Sequence, residues 1–164
     1  MLLGVMADTH DRLPFIDRAV EIMNRERVEL VVHAGDYIAP FTVKHFKPLN
    51  VKLLGVFGNN DAELSTLSRK FADLGFDVKG RFRELKLDGL RIAVLHGDEE
   101  ELLESLVRCG GYNVVIHGHT HKAEVRKVGG TLVLNPGEVC GYLSGEPTVA
   151  KLDTKTLKVE VMRI

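Results

Sequence analysis

A chain of 164 residues, 45% of them hydrophobic, has the size and apolar content of a single domain spanning residues 1–164, with one core or two packed layers. Its 22 Lys+Arg offset 23 Asp+Glu to a formal charge of -1, which provides no basic field for long nucleic acid and no like-charge tail for a partner. No apolar stretch reaches the ~20 residues of a membrane span, the run before Asp8 is too short for a signal sequence, and Cys109 and Cys140 lack CxxC or zinc-ribbon spacing, so a soluble cytoplasmic protein with two reduced, partly buried thiols is expected.

In chain order, Leu2 to Ala7 reads as a buried strand, and Leu13-Pro14 opens a helix in which Ile16, Ala19, Val20 and Met23 recur at helical spacing. Leu30 to Ala34 and Val51 to Phe57 are further strands. Helices are predicted over Pro40 to Phe46 and over Ala62 to Leu74, the second closed by Gly75. From Phe82 the pattern changes: Phe82 to Leu87, Asp88-Gly89 and Leu90 to Leu95 form a hairpin signal. A helix over Glu99 to Cys109 ends at Gly110-Gly111, with Asp98 and Glu101 fitting a variant capping box. Strands follow at Val114 to Ile116, Ala123 to Val128, Thr131 to Leu134, Thr148 to Leu152 and Leu157 to Met162, and Asn135-Pro136-Gly137 reads as a turn. A β-α-β opening joined to a strand-rich second half predicts an α/β fold of two packed mixed β-sheets flanked by helices.

The chemistry lies at the strand ends. Asp8 and His10, Asp36, Asn59, His96, and His119 with His121 each close an apolar run. Ligands in open α/β sheets sit beyond the carboxyl ends of strands, so these seven residues are expected to converge. Singly, a strand-end His or Asp is more often structural; seven at five strand ends describe one shared site. Four His, two Asp and one Asn form a nitrogen and oxygen set without thiolate, suited to Mn, Fe, Co, Ni or Zn rather than Mg, Ca or Cu(I). Seven ligands exceed one ion, whereas two ions about 3.5–4 Å apart, bridged by a carboxylate, accommodate them. His33 and His117 precede ligands inside their strands and are expected in core or supporting roles, and His45 at the surface or in packing.

The blocks Asp8-Thr9-His10, Gly35-Asp36, Gly58-Asn59-Asn60-Asp61, His96-Gly97 and Gly118-His119-Thr120-His121 resemble, in order, those of the calcineurin-like metallophosphoesterase superfamily, and the short chain with Asn135-Pro136-Gly137 resembles its small prokaryotic phosphodiesterase branch. The resemblance implies a four-layer α/β/β/α metallophosphoesterase fold and two divalent metal ions, Mn2+ or Ni2+ first, with Co2+, Fe2+ or Zn2+ also suited. It places Asp8, His10 and His121 on one ion, Asn59, His96 and His119 on the other, and Asp36 between them. It further implies hydrolysis of a small phosphodiester through in-line attack by a metal-bridging hydroxide.

Two positions depart from the family pattern. Asn60 stands where many members carry a His on the substrate or leaving-group side, and Asp61 is then expected to orient the loop rather than pair with that His. Glu138 stands where Ser often follows Asn-Pro-Gly, so substrate contact by that loop is not carried over. The competing function is a non-catalytic interaction module on the same fold. Retention of all seven ligand residues argues against it, and a symmetric homodimer through the strand-rich half fits either function.

Overall fold

Alternate residues of β1 (Leu2–Met6) face two different layers: Leu3 and Val5 join a cluster between two sheets, whereas Met6 joins a second cluster under helices. The computed structural model describes residues 1–164. After β1 come α1 (Leu13–Arg25), β2 (Leu30–His33), a 3-10 helix (Pro40–Phe46), β3 (Leu53–Gly55), α2 (Leu64–Asp73) and β4 (Asp77–Val78). The second half comprises β5 (Phe82–Leu87), β6 (Leu90–Leu95), α3 (Glu100–Arg108), β7 (Val114–Ile116), β8 (Ala123–Val128), β9 (Thr131–Pro136), β10 (Thr148–Asp153) and β11 (Lys158–Arg163).

One sheet has the order β11-β10-β1-β2-β3-β4 and the other β5-β6-β7-β9-β8. Strands β1 to β4 run parallel, as do β6, β7 and β9, while the flanking strands pair antiparallel. Both sheets are therefore mixed. Leu3, Val5, Val32 and Ala150 of the first sheet pack against Ile92, Val94, Ile116 and Leu134 of the second. Met6, Val31 and Leu53 face Ile16, Val20, Phe46, Leu67 and Phe71 of the helices, and Ala93, Val115 and Val133 face Leu103 and Val107 of α3. The result is the expected four-layer α/β/β/α arrangement. Period-two alternation in strands buried on both faces produces it.

Local chemistry follows several sequence signals. Asp88 and Gly89 both take positive φ, giving the tight turn between Leu87 and Leu90. Helix α2 ends in a paired-bond cap, with Gly75 N–H donating to Ala72 O and Phe76 N–H to Phe71 O.

Four expectations are corrected and one unpredicted strand is added. Pro40–Phe46 is a 3-10 helix, because its β-branched Thr42 and Val43 disfavour an α-helix and Thr42 N–H donates three residues back to Ala39 O. The two-residue β4, paired with Leu54 and Gly55, is too short to show any period. Strand β9 runs through Asn135 and Pro136, so the turn begins only at Gly137, φ +81°. The capping box does not form: Asp98 pairs with Arg81, and Glu99 caps α3 without a side-chain bond. Finally, Cys109 is exposed and Cys140 fully buried. No helix is long and apolar enough to cross a membrane.

Candidate metal centre

Parallel strands point their carboxyl ends the same way, so β1, β2 and β3 deliver Asp8, His10, Asp36 and Asn59 to one edge, and β6 and β7 deliver His96, His119 and His121. Close backbone contact joins the two sheet ends. A Cβ on Gly118 would lie 2.7 Å from that of Ala7, and one on Gly35 (φ +100°) would lie 2.9 Å from His96 Nδ1, so only glycine permits this approach. His96 Nδ1 meets Ala34 O at 2.8 Å and His119 N–H donates to Asp8 Oδ2 at 3.1 Å, binding one sheet to the other through the site. Asp8, His10, Asp36, His119 and His121 all adopt positive φ. Each costs about 1–3 kcal/mol in a non-glycine residue, and such strain concentrates where function fixes the backbone.

Asp36 sits centrally. Its Oδ2 lies 3.3 Å from His10 Nε2 and 3.3 Å from His96 Nε2. On one side the His10 and His121 rings are 5.0 Å apart, with His121 Nε2 3.5 Å from Asp8 Oδ1; on the other the His96 and His119 rings are 5.2 Å apart. Asn60 joins through Nδ2, 2.7 Å from Asp36 Oδ2, and through its backbone N–H, 3.0 Å from Asp36 Oδ1. Asn59 lies exposed on the same loop, its side chain outside this network of hydrogen bonds. Six of the seven sequence-predicted ligand residues thus surround one space, and Asn59 makes no contact with them.

Supporting groups fix these donors. Asp61 accepts backbone N–H bonds from Asp36, Tyr37, Ile38 and Gly58 at 2.6–3.0 Å, locking the loops after β2 and β3 together. Burial is the main cause of the raised pKa of Asp61, with the backbone amides opposing it. His33 accepts Gly35 N–H and stacks on Tyr37; burial lowers its pKa to about 3, so it stays neutral.

Glu138, read from the sequence only as a departure from the family pattern, has a supporting role that sequence reasoning missed. Its Oε2 lies 2.6 Å from His121 Nδ1, which turns Nε2 toward Asp8, and it also accepts from Cys140 Sγ and from the N–H groups of Tyr142, Leu143 and Ser144. Burial opposes its ionisation, but Cys140, Ser144 and His121 outweigh it and lower the pKa to about 2. A carboxylate on the remote nitrogen of a histidine is the usual support for a metal ligand. The available signal was a lone acid between Pro136-Gly137 and Val139-Cys140, where a buried charge requires partners.

Asp8 Oδ1, His10 Nε2 and His96 Nε2 are buried without hydrogen-bond partners. Leaving such atoms unsatisfied costs about 1–3 kcal/mol each, and a cation would satisfy all three, so the residues fit a metal centre. Burial disfavours charge on His10, yet Asp36 and Asp8 outweigh it and raise the pKa to about 9; His96 is raised for the same reason. Burial likewise opposes ionised Asp36, while His10, His96 and Asn60 hold its carboxyl below the usual range. Imidazole must be neutral to bind a metal. Metal-free protein at pH 7.5 therefore carries a proton on His10 that metal displaces. Titration calorimetry in buffers of different ionisation enthalpy is expected to show at least one proton released per chain at pH 7.5 and progressively less as pH rises above about 9; buffer-independent heats at pH 7.5 would contradict this.

Two mixed sheets meeting at an edge that carries an imidazole and carboxylate cluster define a four-layer protein with a metal-ligand constellation between its sheets. The chain belongs to the calcineurin-like phosphoesterase superfamily, whose domain model matches residues 1–157. Phosphodiesterase MJ0936 of Methanocaldococcus jannaschii is 42% identical over 156 residues, covering 94% of each chain. A solved structure of an archaeal phosphodiesterase superposes with a TM-score of 0.96 at 40% identity, covering 100% of both chains. Vps29 of Entamoeba histolytica, solved with Zn2+, shares the fold at TM-score 0.72 and 23% identity, over 100% of this chain and 98% of that one.

Proposed function

We propose that this chain is a metal-dependent phosphodiesterase that hydrolyses small phosphodiesters with two divalent ions. The observation that carries the reading is the central carboxylate of Asp36 between two imidazole pairs, beside three buried donors without partners. Asp8, His10, Asp36 and His121 would hold one ion, and Asp36, Asn59, His96 and His119 the other. When bound, such a pair generates a water-derived nucleophile for in-line attack and neutralises charge developing on the phosphoryl oxygens.

The protein side chains do the positioning. Asp8 and Asp36 leave a net positive charge between two divalent ions, which retains an anionic phosphate, and Glu138 and Asp61 hold the ligand loops in place. Asn60 touches Asp36 and has no titratable proton to give a leaving group. A positioned general acid contributes about 10²- to 10⁴-fold, so aryl esters are expected to be turned over well and simple alkyl monoesters poorly. The MJ0936 relative is named a phosphodiesterase, which supports a diester as substrate. Against the interaction-module reading stands the retention of all seven candidate ligands.

The test is hydrolysis of bis-p-nitrophenyl phosphate and p-nitrophenyl phosphate by metal-stripped protein after return of Mn, Ni, Co, Zn or Mg. Metal-dependent turnover favouring the diester is expected. Folded protein inert toward both esters with every ion would overturn the proposal.

A further inference from the structure

The carboxylate that holds His121 also holds a loop. Glu138 accepts the backbone N–H groups of Tyr142, Leu143 and Ser144 and the Ser144 hydroxyl, so this loop and the candidate ligand His121 hang on one buried group. Six polar hydrogens fix the loop without help from apolar packing, yet it presents two large apolar side chains to solvent: Tyr142 is 59% exposed and Leu143 75%. The Tyr142 ring turns toward the loop that carries His10. Arg12, two residues after His10, lies over the Phe15 ring at 3.8 Å, donates through Nη1 to Cys140 O and brings its guanidinium carbon to 5.2 Å from the centre of the Tyr142 ring. Gly141 (φ +63°) lets Arg12 lie close, since a Cβ there would stand 3.2 Å from Nη1. A fixed cation within about 6 Å of a ring orients it, and here it does so while most of the ring stays uncovered. The loops after β3 and β7 present exposed polar residues, Asn60, Thr120 and Lys122, so the His121 side is where this edge turns apolar.

We infer that Tyr142, backed by Arg12, is a specificity-determining residue that stacks on the retained ester group of the substrate, and that this group carries a flat aromatic ring, as an aryl ester or a nucleoside does. The phosphate lies at the metal centre past His121. A tyrosine has few rotatable bonds to freeze and a wide face to cover, which makes it an economical platform for such a ring. The inference rests on the phosphodiesterase reading for its substrate and fails separately from it.

The experiment compares methyl, phenyl and thymidine 5′-esters of p-nitrophenyl phosphate, all of which release the same p-nitrophenolate. The wild type should show a higher kcat/KM for the phenyl or the thymidine ester than for the methyl ester, and the preferred one identifies the source of the ring. In Tyr142→Ala that preference should fall about tenfold, the scale of one stacked ring, through KM rather than kcat. Tyr142→Phe should restore it, and Val161→Ala, exposed on β11, should leave it unchanged. Independently, phenylphosphonate added to protein loaded with Zn2+ should shift the ring resonances of Tyr142, whereas methylphosphonate should not. An unaltered preference in Tyr142→Ala, an equal loss for the methyl ester, or unmoved Tyr142 resonances with phenylphosphonate overturns the inference. If no ester is turned over at all, the phosphodiesterase reading falls, and the resonances alone decide whether Tyr142 takes an aromatic group.

Discussion

An Asp36→Asn variant is expected to fold, to lose both ions and to lose at least about 10³-fold in diesterase kcat/KM. The amide keeps the shape of a fully buried side chain but removes the one charge that stands between the two imidazole pairs. A unit charge at about 4 Å contributes on the order of 4 kcal/mol at an effective dielectric of 20, more for a divalent ion, and 1.4 kcal/mol is tenfold in affinity. The metal-free variant should also be less stable at neutral pH. Folding lowers the Asp36 pKa, so its charge stabilises the fold above the usual carboxylate range and that contribution is lost as acid protonates it. Thermal unfolding separates the two effects. At a metal concentration of 100 Kd, ligand linkage adds about 2.7 kcal/mol, roughly 5–10 °C for a chain of this size. The wild type should show that rise and Asp36→Asn should not; an equal rise in both would remove Asp36 from the centre.

Asp61→Ala should be the most damaging substitution outside the ligands. The four backbone N–H groups of Asp36, Tyr37, Ile38 and Gly58 would lose their acceptor together, in a segment where Asp36 and Ile38 already hold positive φ. Unsatisfied buried donors cost about 1–3 kcal/mol each, moderated here by partial exposure, giving a destabilisation of about 3–5 kcal/mol and a Tm lower by roughly 10–15 °C. Metal affinity should fall with it, because the loop that presents Asp36 loses its anchor. Calorimetric unfolding of metal-free protein checks the first part and metal titration the second. A Tm within 3 °C of wild type, as surface substitutions give, would show that these loops hold themselves in place.

The architecture was legible because its determinants are local and periodic: short apolar runs ending at Asp8, Asp36 and His96, the Asp88-Gly89 turn, and the Gly75 and Gly110 helix ends. Ligand residues at strand ends were readable for the same reason, since parallel strands share one carboxyl edge. What escaped depends on contacts distant in sequence. Glu138 reaches His121 across 17 residues and collects the N–H groups of a loop that carries no distinctive pattern. Asp98 prefers Arg81, 17 residues away, over a helix cap next to it, because a guanidinium outcompetes nearby amides for a carboxylate.

The most direct measurement is the number and position of ions in a crystal of the protein grown with Mn2+, read from anomalous scattering at the manganese edge. Two peaks flanking the Asp36 carboxylate, one among Asp8, His10 and His121 and the other among Asn59, His96 and His119, are the predicted result. A single peak, or none among these residues in protein shown to be folded, would contradict the two-ion account.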